Sequence, residues 1–296
     1  MILRDRPTRL DLLFAVRGSI VPVLAPRLIF LMAVSAVMVV LNRHLPFFPR
    51  INEFGFTIFG IALSLFLGFR NNAAYDRWWE ARKLWGGLLA DIRALSRDAR
   101  MFVRGDARRE AILRAGLAFM HLHRRNLRGL EDDARSRELA PDLLDAPHPP
   151  CAALDRMARI VAEGVDKGAI DGFGARALGE RMASLTAQQA GCERIAGTPL
   201  PYVYSLLIYR TAYLYCLMLP LSLVEVAGWF TPLLVGIVGY VFLGLAEVSE
   251  ELSHPFGTTP NALPLDAICR AAEISLARHL GEAVPPPLQA RDYYLS

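Results

Sequence analysis

The distribution of apolar residues constrains this 296-residue chain more than any other feature. They gather in two regions, about 20–70 and 198–248, on either side of a charged stretch at about 71–197. A helix that crosses a bilayer needs about 20 mostly apolar residues. Four segments qualify: about 28–45, about 54–69, about 201–224 and about 229–248. The first follows Arg27 and closes on Arg43 and His44. The second is short, but its apolar face continues past the membrane into a longer helix. A turn at Glu225–Gly228 makes the last two an antiparallel hairpin. The predicted fold class is all-α: a multispan membrane protein with four transmembrane helices per subunit and a cytoplasmic helical region at about 71–197 and 249–296. The whole chain, 1–296, is read as a single domain.

Loop charge sets the orientation. Arg4, Arg6, Arg9 and Arg17 precede the first span, and Arg70, Arg77, Arg82, Lys83, Arg93, Arg97 and Arg100 follow the second. The loop between these spans has only Arg43 and Arg50, and the hairpin tip has no basic residue. The positive-inside rule then places both termini and the central region in the cytoplasm, which an even number of spans permits. The net charge of +4 reflects this topology, and no nucleic-acid partner is expected. The short apolar piece from Leu10 to Val16 is broken by Asp11 and followed by Arg17, so it reads as an interfacial helix rather than a removed signal.

The central region is helical by its spacing. Leu84, Leu88, Leu89, Ile92 and Leu95 recur at helical intervals, and Ile112, Leu113, Leu117, Met120 and Leu127 continue the pattern. Pro141, Pro147, Pro149 and Pro150 mark a loop at 140–150, with helix returning at about 151–165 and 171–194. Cys151, Cys192, Cys216 and Cys269 have no zinc-like spacing and are read as free, buried thiols. His121 and His123 do not share a helical face, and Glu251 with His254 makes one ExxH where a di-metal bundle needs two. No HExxH, GxSxG or GxxxxGK[ST] is present. The expectation is a protein that is not an enzyme, with no catalytic residues, no metal site and no cofactor.

The second span carries the most information. Ile61, Leu65 and Phe69 lie at i, i+4, i+8 and form one apolar stripe, with Gly60, Ser64 and Gly68 beside it. Small residues let membrane helices approach closely. Turned by several subunits towards a common axis, such a stripe becomes a constriction that gates ions by dewetting. By periodicity alone, packing against another helix or lipid is the more common use. Arg70, Asn71, Asn72, Asp76, Arg77, Glu80, Arg82 and Lys83 follow without a helix breaker, interleaved with Tyr75, Trp78 and Trp79. A helix running from an apolar span into a charged face suits a pore that leaves the bilayer for a vestibule; interfacial tryptophans are the plainer alternative.

Three segments resemble the bestrophin family: GFRNNAAYDRWWEARKLWG at 68–86, GCERIAGTPLPYVYSLLIYR at 191–210 and EELSHPFGTTPNALPLD at 250–266. The motif residues are Arg70, Asn71, Asn72, Arg77, Trp78 and Trp79, with His254, Pro255, Phe256 and Gly257. The Arg-Asn-Asn form is that of bacterial members, which implies the cell inner membrane. The resemblance implies a homopentamer around one axial pore, contacting lipid and passing small inorganic ions. It places a hydrophobic neck on Ile61, Leu65 and Phe69, the stripe found by spacing. It implies a second, cytoplasmic constriction, which falls on Phe173, with Leu178 and Met182 as alternatives. Animal members carry an acidic calcium-binding run after Pro-Phe-Gly; here that segment holds only Asp266, so calcium activation is not expected.

Selectivity is less legible. Bacterial members resemble cation channels and animal members anion channels. No proline near residue 62 breaks the second span, and Asp76, Glu80, Glu180, Glu247, Glu250 and Glu251 can form rings favouring cations. Monovalent cations are therefore favoured, with an anion channel of the same fold, or a non-channel membrane accessory protein, as the alternatives. Arg210, inside the third span, reads as functional or as ion-paired to Glu225 or Glu247.

Overall fold

A computed structural model describes Met1, Ile2, Ala15 and residues 18–45 and 53–296. The expected interfacial helix at Leu10–Val16 lies outside these residues. Nine α-helices run through the described chain: α1 (Val21–His44), α2 (Glu53–Phe102), α3 (Asp106–Arg128), α4 (Ala134–Leu139), α5 (Pro149–Asp166), α6 (Gly172–Gly197), α7 (Tyr202–Ala227), α8 (Thr231–Ser253) and α9 (Leu265–Ala277). Among the described residues there is no sheet, only isolated bridges such as Val103 with Ile170. The chain divides into two compact units.

One unit comprises residues 4–78 and 199–254. It contains the helical stretches long and apolar enough to cross a membrane: Val21–His44, the start of Phe54–Phe102, and Tyr202–Ser253. The last is folded at the 3-10 turn Gly228–Phe230, where Gly228 takes φ +50°, so it forms the two antiparallel helices α7 and α8. Its core is apolar and drawn from four helices: Leu24 and Leu31 of α1, Phe56, Leu63 and Leu67 of α2, Ile208 and Tyr215 of α7, and Val235 and Leu243 of α8. Small residues set the close approach of α1 to α8. A Cβ built at Gly236 would lie 2.8 Å from the Met32 sulfur, and one at Gly239 would lie 3.2 Å from Leu28.

The start of α1 differs from expectation, because Arg27 was read as lying ahead of the span. α1 starts at Val21, ahead of Arg27, because the Arg27 guanidinium donates to Glu247 of α8 at 2.8 Å. A paired arginine is tolerated inside a spanning helix, whereas an unpaired one is expelled. α2 runs on past Phe69, as the sequence suggested, for 50 residues in all, about 75 Å at 1.5 Å per residue. It contains no proline, and Gly105, at φ +88°, separates it from α3.

The other unit comprises residues 1–3, 79–198 and 255–296. Its core is built on Trp85, Leu88, Ile92 and Leu95 of α2, packed with Ile112, Phe119 and Met120 of α3, Met157 of α5 and Leu185 of α6. The His123 ring is buried beside two aromatic rings, 5.6 Å from Trp85 and 5.7 Å from Phe119, nearly parallel to both. Arg124 and Arg128 of α3 share Asp266 of α9 at 2.8 and 2.7 Å, and Arg124 also holds Asp133. Asp171 caps α6 by accepting the Gly174 N–H at 2.7 Å. The expected loop at 140–150 contains the turn Pro141–Leu143 and the start of α5 at Pro149, a residue suited to a helix first turn. Of the thiols, Cys192, Cys216 and Cys269 are buried, but Cys151 is exposed, on the outer side of a first turn whose Pro150 is buried.

Candidate functional site

The first part of α2 has two faces of opposite character. Phe56, Leu63, Leu67, Arg70 and Ala74 are buried in the unit. Their spacing of three and four residues marks one side of a helix. On the other side, Ile61, Leu65 and Phe69 are 59%, 54% and 59% exposed. The stripe is therefore not used for packing inside the subunit. Asn72 and Asp76 continue it, both exposed.

Helix α2 is held in rotation by polar contacts on its buried side. Arg70 is fully buried. Its guanidinium donates to the Ala246 carbonyl and to Ser205 Oγ, each at 3.1 Å, and to the Glu250 carboxylate. The guanidinium carbon also stands 5.8 Å from the Tyr209 ring centroid. Arg77 Nε donates to the Ser253 carbonyl at 2.7 Å, and Asn71 Oδ1 accepts from Ser249 at 3.4 Å. Nearer the start of α2 the Tyr215 ring packs against Gly60, where a Cβ would come within 2.7 Å of the tyrosine hydroxyl.

The motif residues therefore divide. Arg70, Asn71 and Arg77 fasten α2 to α7 and α8. Trp78 is half-buried, its ring 6.4 Å from that of Tyr75, and Trp79 is exposed. His254 is exposed, with Nδ1 2.9 Å from Ser253 Oγ. Pro255 and Phe256 are buried and Gly257 is half-buried; the Pro255 carbonyl accepts from Leu263 N at 2.8 Å, closing the turn that leads into α9.

Phe173, at the start of α6, is 81% exposed. Leu178 is 1% exposed, packed in the core of its unit, and Met182 is half-buried. Leu178 is thus enclosed in its own unit, whereas Phe173 and Met182 reach its surface. Four of the six acidic residues considered for cation rings sit in ion pairs within the chain: Glu80 with Arg194, Glu180 with Arg176, Glu247 with Arg27 and Glu250 with Arg70. The pairing of Arg210 with Glu247 does not occur, because Glu247 holds Arg27; Arg210 is exposed on α7.

Sequence reasoning missed Arg70 as an anchor. Its signal was present: Leu63, Leu67, Arg70 and Ala74 share the helical spacing of the buried side. The charge obscured it. Among the described residues, no group of three or more His, Cys, Asp or Glu side chains is arranged to hold a metal ion.

A family model described as Bacterial/Fungal Bestrophin protein matches residues 1–278. The chain belongs to the bestrophin family. This bestrophin is 46% identical, over all of its length and 97% of the relative's, to the voltage-dependent anion channel-forming protein mll4386 of Mesorhizobium japonicum. It is 35% identical to the voltage-dependent anion channel-forming protein YneE of Escherichia coli K12, with all of both chains covered. A bacterial bestrophin homologue from Klebsiella pneumoniae has the same fold, with a TM-score of 0.83 and 30% identity over 88% of this bestrophin and 99% of that chain. The two named relatives are named for channel formation, in agreement with the expectation that this bestrophin is not an enzyme.

Proposed function

We propose that five copies of this chain form a channel in the bacterial inner membrane that passes small monovalent ions passively through one axial pore. The observation that carries this is the two-sided α2. Three bulky apolar side chains stand more than half exposed on one face, while polar contacts lock the opposite face into the subunit. Ile61, Leu65 and Phe69 form the neck, and Phe173 the second constriction. Four helices of one subunit cannot enclose a wide axial pore, so oligomerisation is obligatory. Both termini and the unit around α3 lie in the cytoplasm by the positive-inside rule. The whole chain acts as one channel domain, with membrane lipid around α1, α7 and α8. The channel-forming names of the relatives support this reading.

For the sign of the ion, those names support anions, and so does the internal pairing of four of the six acidic residues. A second reading, cation preference, is supported by Asp76, whose exposed carboxylate lies seven residues past Phe69 on the same helical stripe. Reversal potentials of the purified protein in planar bilayers under a salt gradient separate the two, and native mass measurement in detergent tests the pentamer. A monomeric species that carries no ionic current would overturn the proposal.

A further inference from the structure

We propose that Arg70 is the positioning residue of the neck: clamped by Glu250, Ala246 and Ser205, it fixes the rotation of α2 and so the projection of Phe69. The inference rests on the pore reading above and adds to it the part that aims the gate.

Consecutive residues on an α-helix point about 100° apart. With Phe69 outward and Arg70 inward, any rotation of α2 moves both. The three acceptors of the Arg70 guanidinium sit on two different helices: Ser205 on α7, and the Ala246 carbonyl and Glu250 on α8. Contacts from two directions resist rotation either way, which the smooth apolar packing of Leu63 and Leu67 does not. A buried arginine also tolerates poor pairing badly, because an unpartnered charge in an apolar surround is costly. Loss of any one acceptor therefore loosens the hold on α2.

One part of the clamp is open to its surroundings. Glu250 is partly exposed and, with Tyr202, Ser205, Leu206, Tyr209 and His254, lines a cavity of about 550 Å³. Removing its charge weakens the clamp without leaving a hole in the core, and Arg70 keeps its other two acceptors. Glu250→Gln is thus the variant of choice, where Arg70→Gln would strand buried acceptors.

The test measures single-channel activity of the purified full-length protein in planar bilayers for wild type, Glu250→Gln, Glu250→Asp, Phe69→Ala and the Phe69→Ala/Glu250→Gln double variant. Glu250→Gln is expected to change open probability at least threefold, with unitary conductance and reversal potential unchanged. Glu250→Asp is expected to restore most of the wild-type value. In the Phe69→Ala background, Glu250→Gln is expected to have a clearly smaller effect, since the neck side chain next to the clamp is gone and only Ile61 and Leu65 remain to be turned. An effect of full size in that background, or no effect in the single variant, overturns the proposal. If Phe69→Ala alone leaves gating unaltered, the neck assignment itself falls and takes the positioning role with it. Should Glu250→Gln fail to assemble, Ser205→Ala removes one hydrogen bond from the same clamp; a shift in open probability that is clearly smaller in the Phe69→Ala background supports the proposal, and any other result overturns it.

Discussion

Phe69 and Arg70 are neighbours in the chain with opposite surroundings: the ring is 59% exposed on the outer face of α2, and the guanidinium is fully buried against α7 and α8. The pair defines which side of the helix is free to face other copies. Replacing Ile61, Leu65 and Phe69 together with Ala widens and wets the neck under this reading. Open probability in bilayers is expected to rise about tenfold, equivalent to about 1.4 kcal/mol. The folded subunit should be little affected, because none of the three side chains is in its core.

Two of the three candidates on α6, Phe173 and Leu178, separate by burial. Phe173→Ala removes an exposed ring and should leave the melting temperature in detergent unchanged while altering current rectification. Leu178→Ala empties an enclosed site and should cost about 2–5 kcal/mol of stability. Thermal melts of the two variants check this directly.

Gly60 of α2 packs directly against Tyr215 of α7. Gly60→Ala drives a methyl into the Tyr215 ring, with the hydroxyl as the nearest atom at 2.7 Å. A loss of about 1–3 kcal/mol is expected from overpacking. Tyr215→Phe removes that nearest atom, so the double variant should recover part of the loss in a double-mutant melt.

Acid should destabilise the unit around α3 through His123. Burial, reinforced by nearby His148, pushes the imidazole down to about 3 from its ordinary value of 6.5. Between those values the unfolded chain binds a proton that the folded chain does not, so stability falls as pH falls. The slope approaches about 1.4 kcal/mol per pH unit below about pH 6. Neither ring nitrogen has a hydrogen-bond partner among the described residues. His123→Phe keeps the aromatic neighbours and should flatten the pH dependence of melting between pH 7.5 and 5.

Calcium should have no role. In the segment after Pro-Phe-Gly the one acidic residue, Asp266, accepts from Arg124 and Arg128 at 2.8 and 2.7 Å. Two buried guanidinium groups beside a carboxylate repel a divalent cation. Chelation by EGTA is expected to leave currents unchanged, whereas Asp266→Asn should cost about 2 kcal/mol of stability through the arginines it leaves underpaired.

The sequence by itself determined the helical class, the apolar segments of the spans, the hairpin at Gly228 and the family, because each is carried by local composition, periodicity or an ordered motif. The stripe of Ile61, Leu65 and Phe69 was legible for the same reason: a helix repeats every 3.6 residues wherever it lies. Which face of α2 is buried was decided only by tertiary structure. So was the fate of several charges: Arg27 lies inside α1 instead of ahead of it, Arg70 becomes a core residue, and Glu250 is taken from the pool of free carboxylates. Periodicity is a property of neighbours along the chain, whereas the burial of a charge depends on a partner about 180 or more residues away, as Glu250 is from Arg70 and Glu247 from Arg27. No local pattern encodes that distance. Packing does, by making the paired state the one in which a buried ion is tolerated.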